Sequence, residues 1–259
     1  MSILDQFRLD GKRALVTGGS KGLGLAMAKA LAEVGADLVL VSRDQANLDA
    51  ARETLAPIGR KIDILTGDLF TSEGVETMCQ QVLADYGPIH ILINNVGGRR
   101  ENIPLLEQTA EDWKRLMDLN LTSAFLCTKL IGAPMVERKH GRIINIGSIC
   151  GQVGTKNMHG RHYETAKAAL AGFTRSVGAD WAPYNVTVNT IAPGGFMTDA
   201  NRRWFSEKPE LQKKIEDMIP MARLGEPDEI GGLAVYLASD ASSYMTGAFL
   251  VIDGGYTLW

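Results

Sequence analysis

The chain has 259 residues and very little cysteine. Its three thiols, Cys79, Cys127 and Cys150, are widely spaced, odd in number and form no CxxC pair. That excludes a disulfide framework and a cysteine-built zinc site, and no metal centre is expected. The thiols are expected to be buried and reduced. No run of 18 consecutive apolar residues occurs, so no membrane span is expected. The opening MSILDQFRLDGKRALV lacks the basic start and long apolar run of a secretory signal. No basic block reaches five residues and the formal net charge is −3, which argues against a nucleic-acid or membrane partner. Internal repeats and low-complexity segments are also lacking. These absences lead to the expectation of a soluble cytoplasmic protein. Its 45% hydrophobic content is enough for one large core.

What is present is a rhythm. Short apolar, β-branched runs recur: RALVTG from Arg13, DLVLVS from Asp37, IDILTG from Ile62, IHILINN from Ile89, GRIINIGS from Gly141, NVTVNTIAPG from Asn185 and AFLVIDGG from Ala248. Each is followed by Gly, Asn, Asp or Pro, as buried parallel strands are. Helical stretches separate them, over 23–34, 47–55, 74–86, 163–181 and 228–237, the last just after Pro227. Thr109-Ala-Glu-Asp112 has a capping-box pattern and opens a helix predicted to reach about Ile131, before Pro134. The alternation predicts an α/β fold: a doubly wound, seven-stranded parallel sheet in a single domain over 1–259. One charged insertion, at about 194–220, breaks the rhythm. It reads either as a substrate lid or as a solvated pair of surface helices.

In such a sheet, ligands bind at the carboxyl ends of the strands. After the first strand comes TGGSKGLG, with glycines at 18, 19, 22 and 24 and a helix directly following. Glycines let the backbone approach a ligand, and the helix N-terminus suits a pyrophosphate. The second strand ends Ser42-Arg43, where an NAD site carries an acid for the ribose 2′-OH. Arg43, with Lys21 in the turn, suits a 2′-phosphate and favours NADP(H) over NAD(H). The adjoining Asp44 leaves NAD(H) open. Further on, Tyr163 and Lys167 stand at i and i+4, one face of a helix.

Taken in order, TGGSKGLG, Asn94-Asn95-Val96-Gly97, Ser148, Tyr163 with Lys167, and Pro193-Gly194 resemble the short-chain dehydrogenase/reductase family over nearly the whole chain. The resemblance implies a Rossmann-type sheet, a homotetramer or dimer, and a catalytic set of Asn120, Ser148, Tyr163 and Lys167. Tyr163 would carry the proton, Ser148 would hold the substrate oxygen, Lys167 would lower the phenol pKa and anchor the cofactor ribose, and Asn120 would anchor a water relay. Cofactor contacts implied in the first turn are Gly18, Ser20, Lys21, Gly22, Leu23 and Gly24. After later strands they are Ser42, Arg43, Asp68, Leu69, Asn95 and Gly97, and then Tyr163, Lys167, Pro193, Gly194, Phe196 and Thr198.

The chain departs from the family pattern in one place. Ser148 and Tyr163 are 15 positions apart, roughly two more than is common, and the extra length brings His159, Arg161 and His162 near the pocket. With Arg99 and Arg100 they suggest a cationic rim for a carboxylate or phosphate. Phe196, Met197 and Trp204 are either pocket wall or core. The tail VIDGGYTLW is similar to the ends of sugar and polyol dehydrogenases, with Trp259 suited to a subunit interface. The expected activity is reduction of a ketone or oxidation of a secondary alcohol, on a sugar acid or polyol. A 3-oxoacyl thioester is the alternative substrate, and a non-catalytic dinucleotide sensor on the same fold is the alternative of another class.

Overall fold

The structure is a computed structural model; it describes every residue except Met1, Arg100, Glu101, 155–159 and Trp259. Seven strands form one sheet: Arg13–Thr17 (β1), Asp37–Ser42 (β2), Ile62–Thr66 (β3), Ile91–Asn94 (β4), Gly141–Ile146 (β5), Val186–Pro193 (β6) and Phe249–Ile252 (β7). All pairs are parallel, in the order β3-β2-β1-β4-β5-β6-β7. The order turns between β1 and β4, which sets the crevice for a ligand at their carboxyl ends.

The strands alternate between two apolar faces. Ala14, Val16, Leu38 and Leu40 face one core, with Met27 and Leu31 of helix Gly22–Glu33 (α1), Leu48 of Gln45–Leu55 (α2) and Val235 of Gly231–Ala238 (α9). Leu15, Val39 and Val41 face the other, with Val75 and Val82 of Ser72–Asp85 (α3) and Ile131 of Ser123–Glu137 (α5). Period-two side chains buried on both faces explain the near-continuous apolar runs.

Three expectations change. The helix from Thr109 does not stop before Pro134. Ala110–Met117 (α4) carries the expected Thr109–Asp112 capping box, a π turn Asp118–Thr122 follows, and α5 continues to Glu137 with Pro134 inside. Proline removes one helical hydrogen bond, but Ile131 and Met135 on either side are fully buried, and that packing outweighs it. By length and composition alone, the run 110–137 is apolar enough to cross a bilayer; more than half of its most apolar stretch is buried within the protein as a core helix. Next, the region after Pro227 opens as a 3₁₀ turn, Pro227–Ile230, before α9 begins. Finally, the insertion holds two helices, Asp199–Glu207 (α7) and Pro209–Glu216 (α8), that are not simply solvated. Phe205, Ile219 and Leu224 form a small apolar nucleus of their own, joined by Met197 and Trp204. Phe196 is buried against the main core.

Candidate active site

The glycine-rich turn is shaped by close approach rather than by flexibility. A Cβ on Gly24 would stand 2.2 Å from the Gly18 carbonyl oxygen, so α1 can start there only with glycine. Asn95, just past β4, donates from Nδ2 to the carbonyls of Thr17 (3.0 Å) and Gly18 (3.2 Å). Thr17 Oγ1 accepts the Asn95 N–H at 2.9 Å in return. This lock holds open a cleft of about 460 Å³ at the turning point of the sheet. Gly18, Ser20 and Lys21 line it from the turn, Ser42 and Arg43 from β2, and Leu69, Asn95 and Gly97 from later loops. Gly22, Leu23 and Gly24 begin α1, whose amides face this end of the sheet. Thr198, the N-cap of α7, packs its methyl group against Gly22, so the segment after β6 reaches the turn. Pro193 closes β6, and Gly194 is pressed against Asp253 of the chain end, where a Cβ would meet the Asp253 Cα at 2.8 Å.

At the other end of the cleft Arg43 lies on the ring of Phe70, 3.9 Å from its centroid. Phe70 was not anticipated; an aromatic directly after Asp68-Leu69 was its only signal. Asp44 is already engaged: its carboxylate accepts the Asn47 N–H at 2.9 Å and caps α2. Asp68, expected among the cofactor contacts, accepts the Phe70 N–H of its own loop at 3.0 Å. It is not part of the cleft lining, because a short turn of this kind is closed by its own aspartate.

Ser148 hydrogen-bonds Tyr163, and Asn120 and Lys167 meet at Gly97. A Cβ there would stand 2.7 Å from Asn120 Oδ1 and 3.0 Å from Lys167 Nζ. Asn120 is buried in the π turn, a local irregularity that aims its side chain out of the helical row. It grips Gly98 by both ends, accepting its N–H (2.9 Å) and donating to its carbonyl (3.2 Å). Lys167, on helix Arg161–Trp181 (α6), is buried and donates to the Ile146 carbonyl at 2.8 Å. Burial lowers its pKa to about 8. Ser148 accepts the Cys150 N–H at 3.1 Å and hydrogen-bonds the Tyr163 phenol.

The phenol itself departs from expectation. Burial raises the Tyr163 pKa, and the Ser148 hydrogen bond and the Arg99 charge oppose that rise without cancelling it. The Lys167 Nζ lies 5.9 Å from the centre of the Tyr163 ring and donates to the Ile146 carbonyl.

The rim is not purely cationic either. Arg99 and Arg161 both pair with Glu164, Arg99 at 3.6 Å. Arg99 also reaches Cys150 Sγ at 3.4 Å. Cys79 and Cys127 are buried as expected, whereas Cys150 is only partly so. Glu164 was missed because it lies inside the Tyr-to-Lys spacing, where any residue fits the pattern. His162 is fully buried, with Nδ1 accepting the Tyr163 N–H at 3.0 Å, so it belongs to the first turn of α6 and not to the rim. Arg100, His159 and Trp259 lie outside the described residues.

Comparison with known proteins agrees with this geometry. A family described as enoyl-(acyl carrier protein) reductase matches residues 18–257. A galactitol 2-dehydrogenase of Rhizobium johnstonii is 37% identical, with all of both chains covered. A 3-oxoacyl-[acyl-carrier-protein] reductase of Vibrio cholerae is 36% identical, over 95% of this chain and 98% of its own. The crystal structure of a gluconate 5-dehydrogenase from Burkholderia cenocepacia, in complex with NADP and tartrate, superposes with a TM-score of 0.91 at 33% identity, covering both chains completely.

Proposed function

Since the chain belongs to the short-chain dehydrogenase/reductase family, we propose that it is an NADP(H)-dependent oxidoreductase that interconverts a secondary alcohol and a ketone on a polyol or sugar acid. The observation that carries this reading is the meeting of Asn120 and Lys167 at Gly97, on the lip of the dinucleotide cleft, with Ser148 bonded to Tyr163 on the same helix as Lys167. The cleft fits the cofactor. Gly18 and Gly97 line it beside a helix N-terminus, Arg43 and Lys21 offer cations for a 2′-phosphate, and Asp44, which also lines the cleft, has one carboxylate oxygen engaged by the Asn47 N–H. Bound there, NADP(H) supplies the hydride acceptor or donor.

The chain supplies the proton and the alignment. Tyr163 takes the hydroxyl proton of the alcohol, or returns it to the ketone oxygen. Ser148 accepts the Cys150 N–H and donates its one O–H to the Tyr163 phenol, and turns that O–H to the substrate oxygen when the alcohol or ketone is bound. Lys167 provides positive charge beneath the site and a donor for the cofactor ribose. Asn120 fixes the 97–98 backbone and anchors proton exchange with Lys167. The segment at about 194–220 serves as the substrate lid: its own apolar nucleus lets α7 and α8 move as a unit over the cleft. The protein works in the cytoplasm.

The test is NADPH oxidation across keto-sugar acids, ketoses and 3-oxoacyl thioesters, with galactitol and NADP⁺ in the reverse direction and NADH in parallel. Turnover confined to ketoses, keto-sugar acids and polyols supports the reading. Turnover confined to 3-oxoacyl thioesters selects the second reading, which the Vibrio cholerae relative supports. NADPH binding without turnover of any carbonyl would replace both with a sensor.

A homotetramer is also proposed. Leu105, Leu106, Trp113 and Phe125 expose apolar surface on the α4–α5 side, and Tyr244, Val251 and Leu258 do so near the edge strand β7. Two separate apolar faces suit the two contacts a dihedral tetramer needs. Light scattering on the eluting protein is expected to give four times 28.1 kDa, about 112 kDa. A mass of one or two chains would refute it.

A further inference from the structure

We propose that Arg99 is a positioning residue for the reaction: a second cation, held against the Tyr163 ring by Glu164, that stabilises the phenolate. This rests on the oxidoreductase reading, in which Tyr163 carries the proton.

The geometry is specific. The Arg99 guanidinium carbon lies 5.0 Å from the centre of the Tyr163 ring. That is nearer than the Lys167 ammonium at 5.9 Å. The guanidinium is held on two sides, by the Glu164 carboxylate at 3.6 Å and by Cys150 Sγ at 3.4 Å. The side chains of Arg99 and Glu164 are both only 13% exposed, so this pair is largely shielded from water and salt. Glu164 is the residue after Tyr163, so the carboxylate that fixes the cation and the phenol that needs it share one helical turn.

The need is equally clear. The phenol is partly buried, and burial disfavours its anion. Its neighbours can be taken element by element. From the loop after β5, Ser148 donates to the phenol and Cys150 opposes its ionisation. From α6 itself come His162 on the backbone, Glu164 and Lys167. From α4 comes Asp112, whose pKa His162 helps to lower, after the larger effect of its bonds to Thr109. From the loop after β4 comes Arg99, whose charge favours the phenolate. Arg99 is nearer the Tyr163 ring than Lys167, which donates to the Ile146 carbonyl, and so is placed to offset burial at the phenol. The short distance between Arg99 and the first turn of α6 also makes the pair a brace on the orientation of Tyr163.

Three variants separate charge from packing: Arg99→Gln, Arg99→Lys and Glu164→Gln. The direct readout is titration of the Tyr163 phenol by tyrosinate absorbance in the near ultraviolet, taken as the difference between each protein and the same protein carrying Tyr163→Phe. It needs no turnover. Arg99→Gln is expected to raise the phenol pKa by about one unit, the effect of removing one cation at this range. Arg99→Lys should recover most of that shift, and Glu164→Gln should give a smaller rise by loosening Arg99. In the kinetic readout, the acid limb of kcat for alcohol oxidation should move by the same amount in Arg99→Gln, with the Kd for NADPH unchanged. An unmoved phenol titration in Arg99→Gln overturns the proposal, whatever the activity. A rise in KM with an unshifted limb overturns it too, making Arg99 a substrate-binding group. Failure of the oxidoreductase reading shows differently: Tyr163→Phe in the wild-type background would leave turnover intact.

Discussion

Tyr163→Phe is expected to lower kcat by about 10³-fold while leaving the Kd for NADPH within a factor of two or so, since general acid–base catalysis contributes roughly 10²–10⁴-fold. The change removes one oxygen from a ring that keeps its packing beside Arg99. The lost oxygen is the one that Ser148 hydrogen-bonds. Ser148 is also held by the Cys150 N–H, so it stays in place in the variant. The cofactor cleft is built from other residues, chiefly the glycine-rich turn and Arg43. Binding and chemistry are therefore separable in this protein. A loss of turnover with retained NADPH binding is the result expected of an enzyme. Retained turnover would move the proton to another group. A sensor would show no turnover in either protein and equal binding in both. Single-turnover absorbance decay of bound NADPH against the best ketone, with a parallel fluorescence titration, distinguishes these outcomes.

How much of this was legible in the sequence depends on the range of the interactions concerned. The strands were legible because parallel strands buried on both faces leave an unbroken apolar run, as in DLVLVS and GRIINI. The glycine-rich turn was legible because only glycine tolerates the 2.2 Å approach at Gly24. The end of α5 was not, because what carries the helix through Pro134 is the burial of Ile131 and Met135 against the sheet, a long-range effect. The bond that Asp68 makes was not foreseen, for the opposite reason. A purely local bond to the Phe70 N–H decides where that carboxylate points. The rim was half legible. Its arginines stand out as charges, but Glu164 is one of three free positions between Tyr163 and Lys167, and nothing local marks it as the partner of a residue 65 positions earlier. Lys167 itself was placed correctly on the Tyr163 face, yet spacing alone could not reveal that its ammonium would be turned to Ile146.

That buried ammonium gives the last prediction: Lys167→Met is expected to stabilise the cofactor-free protein at pH 7 and to reduce turnover by at least about 10²-fold, since the positive charge preorganised in the site is removed. Burial lowers the Lys167 pKa from 10.5 to about 8. Below pH 8 the lysine is protonated in both the folded and unfolded chains, and the folded state carries the full cost of the buried charge. Between pH 8 and 10.5 the unfolded chain binds the proton more tightly, so stability rises with pH through that window. Above 10.5 both states are neutral and the cost is gone. The shift corresponds to roughly 3 kcal/mol at about 1.4 kcal/mol per pKa unit. Loss of the bond to the Ile146 carbonyl returns at least about 1.5 kcal/mol of that, since a hydrogen bond to a charged donor contributes roughly 1.5–3 kcal/mol. Methionine fills nearly the same volume with an unbranched chain, so little packing is lost. A net gain of at most about 1.5 kcal/mol should appear as a higher Tm, and the rise in stability between pH 8 and 10.5 should be shallower in the variant than in the wild type. An equal or lower Tm would mean that Lys167 is held at no cost in the folded chain. The higher Tm together with lost turnover would identify Lys167 as a residue retained for chemistry against the interest of the fold.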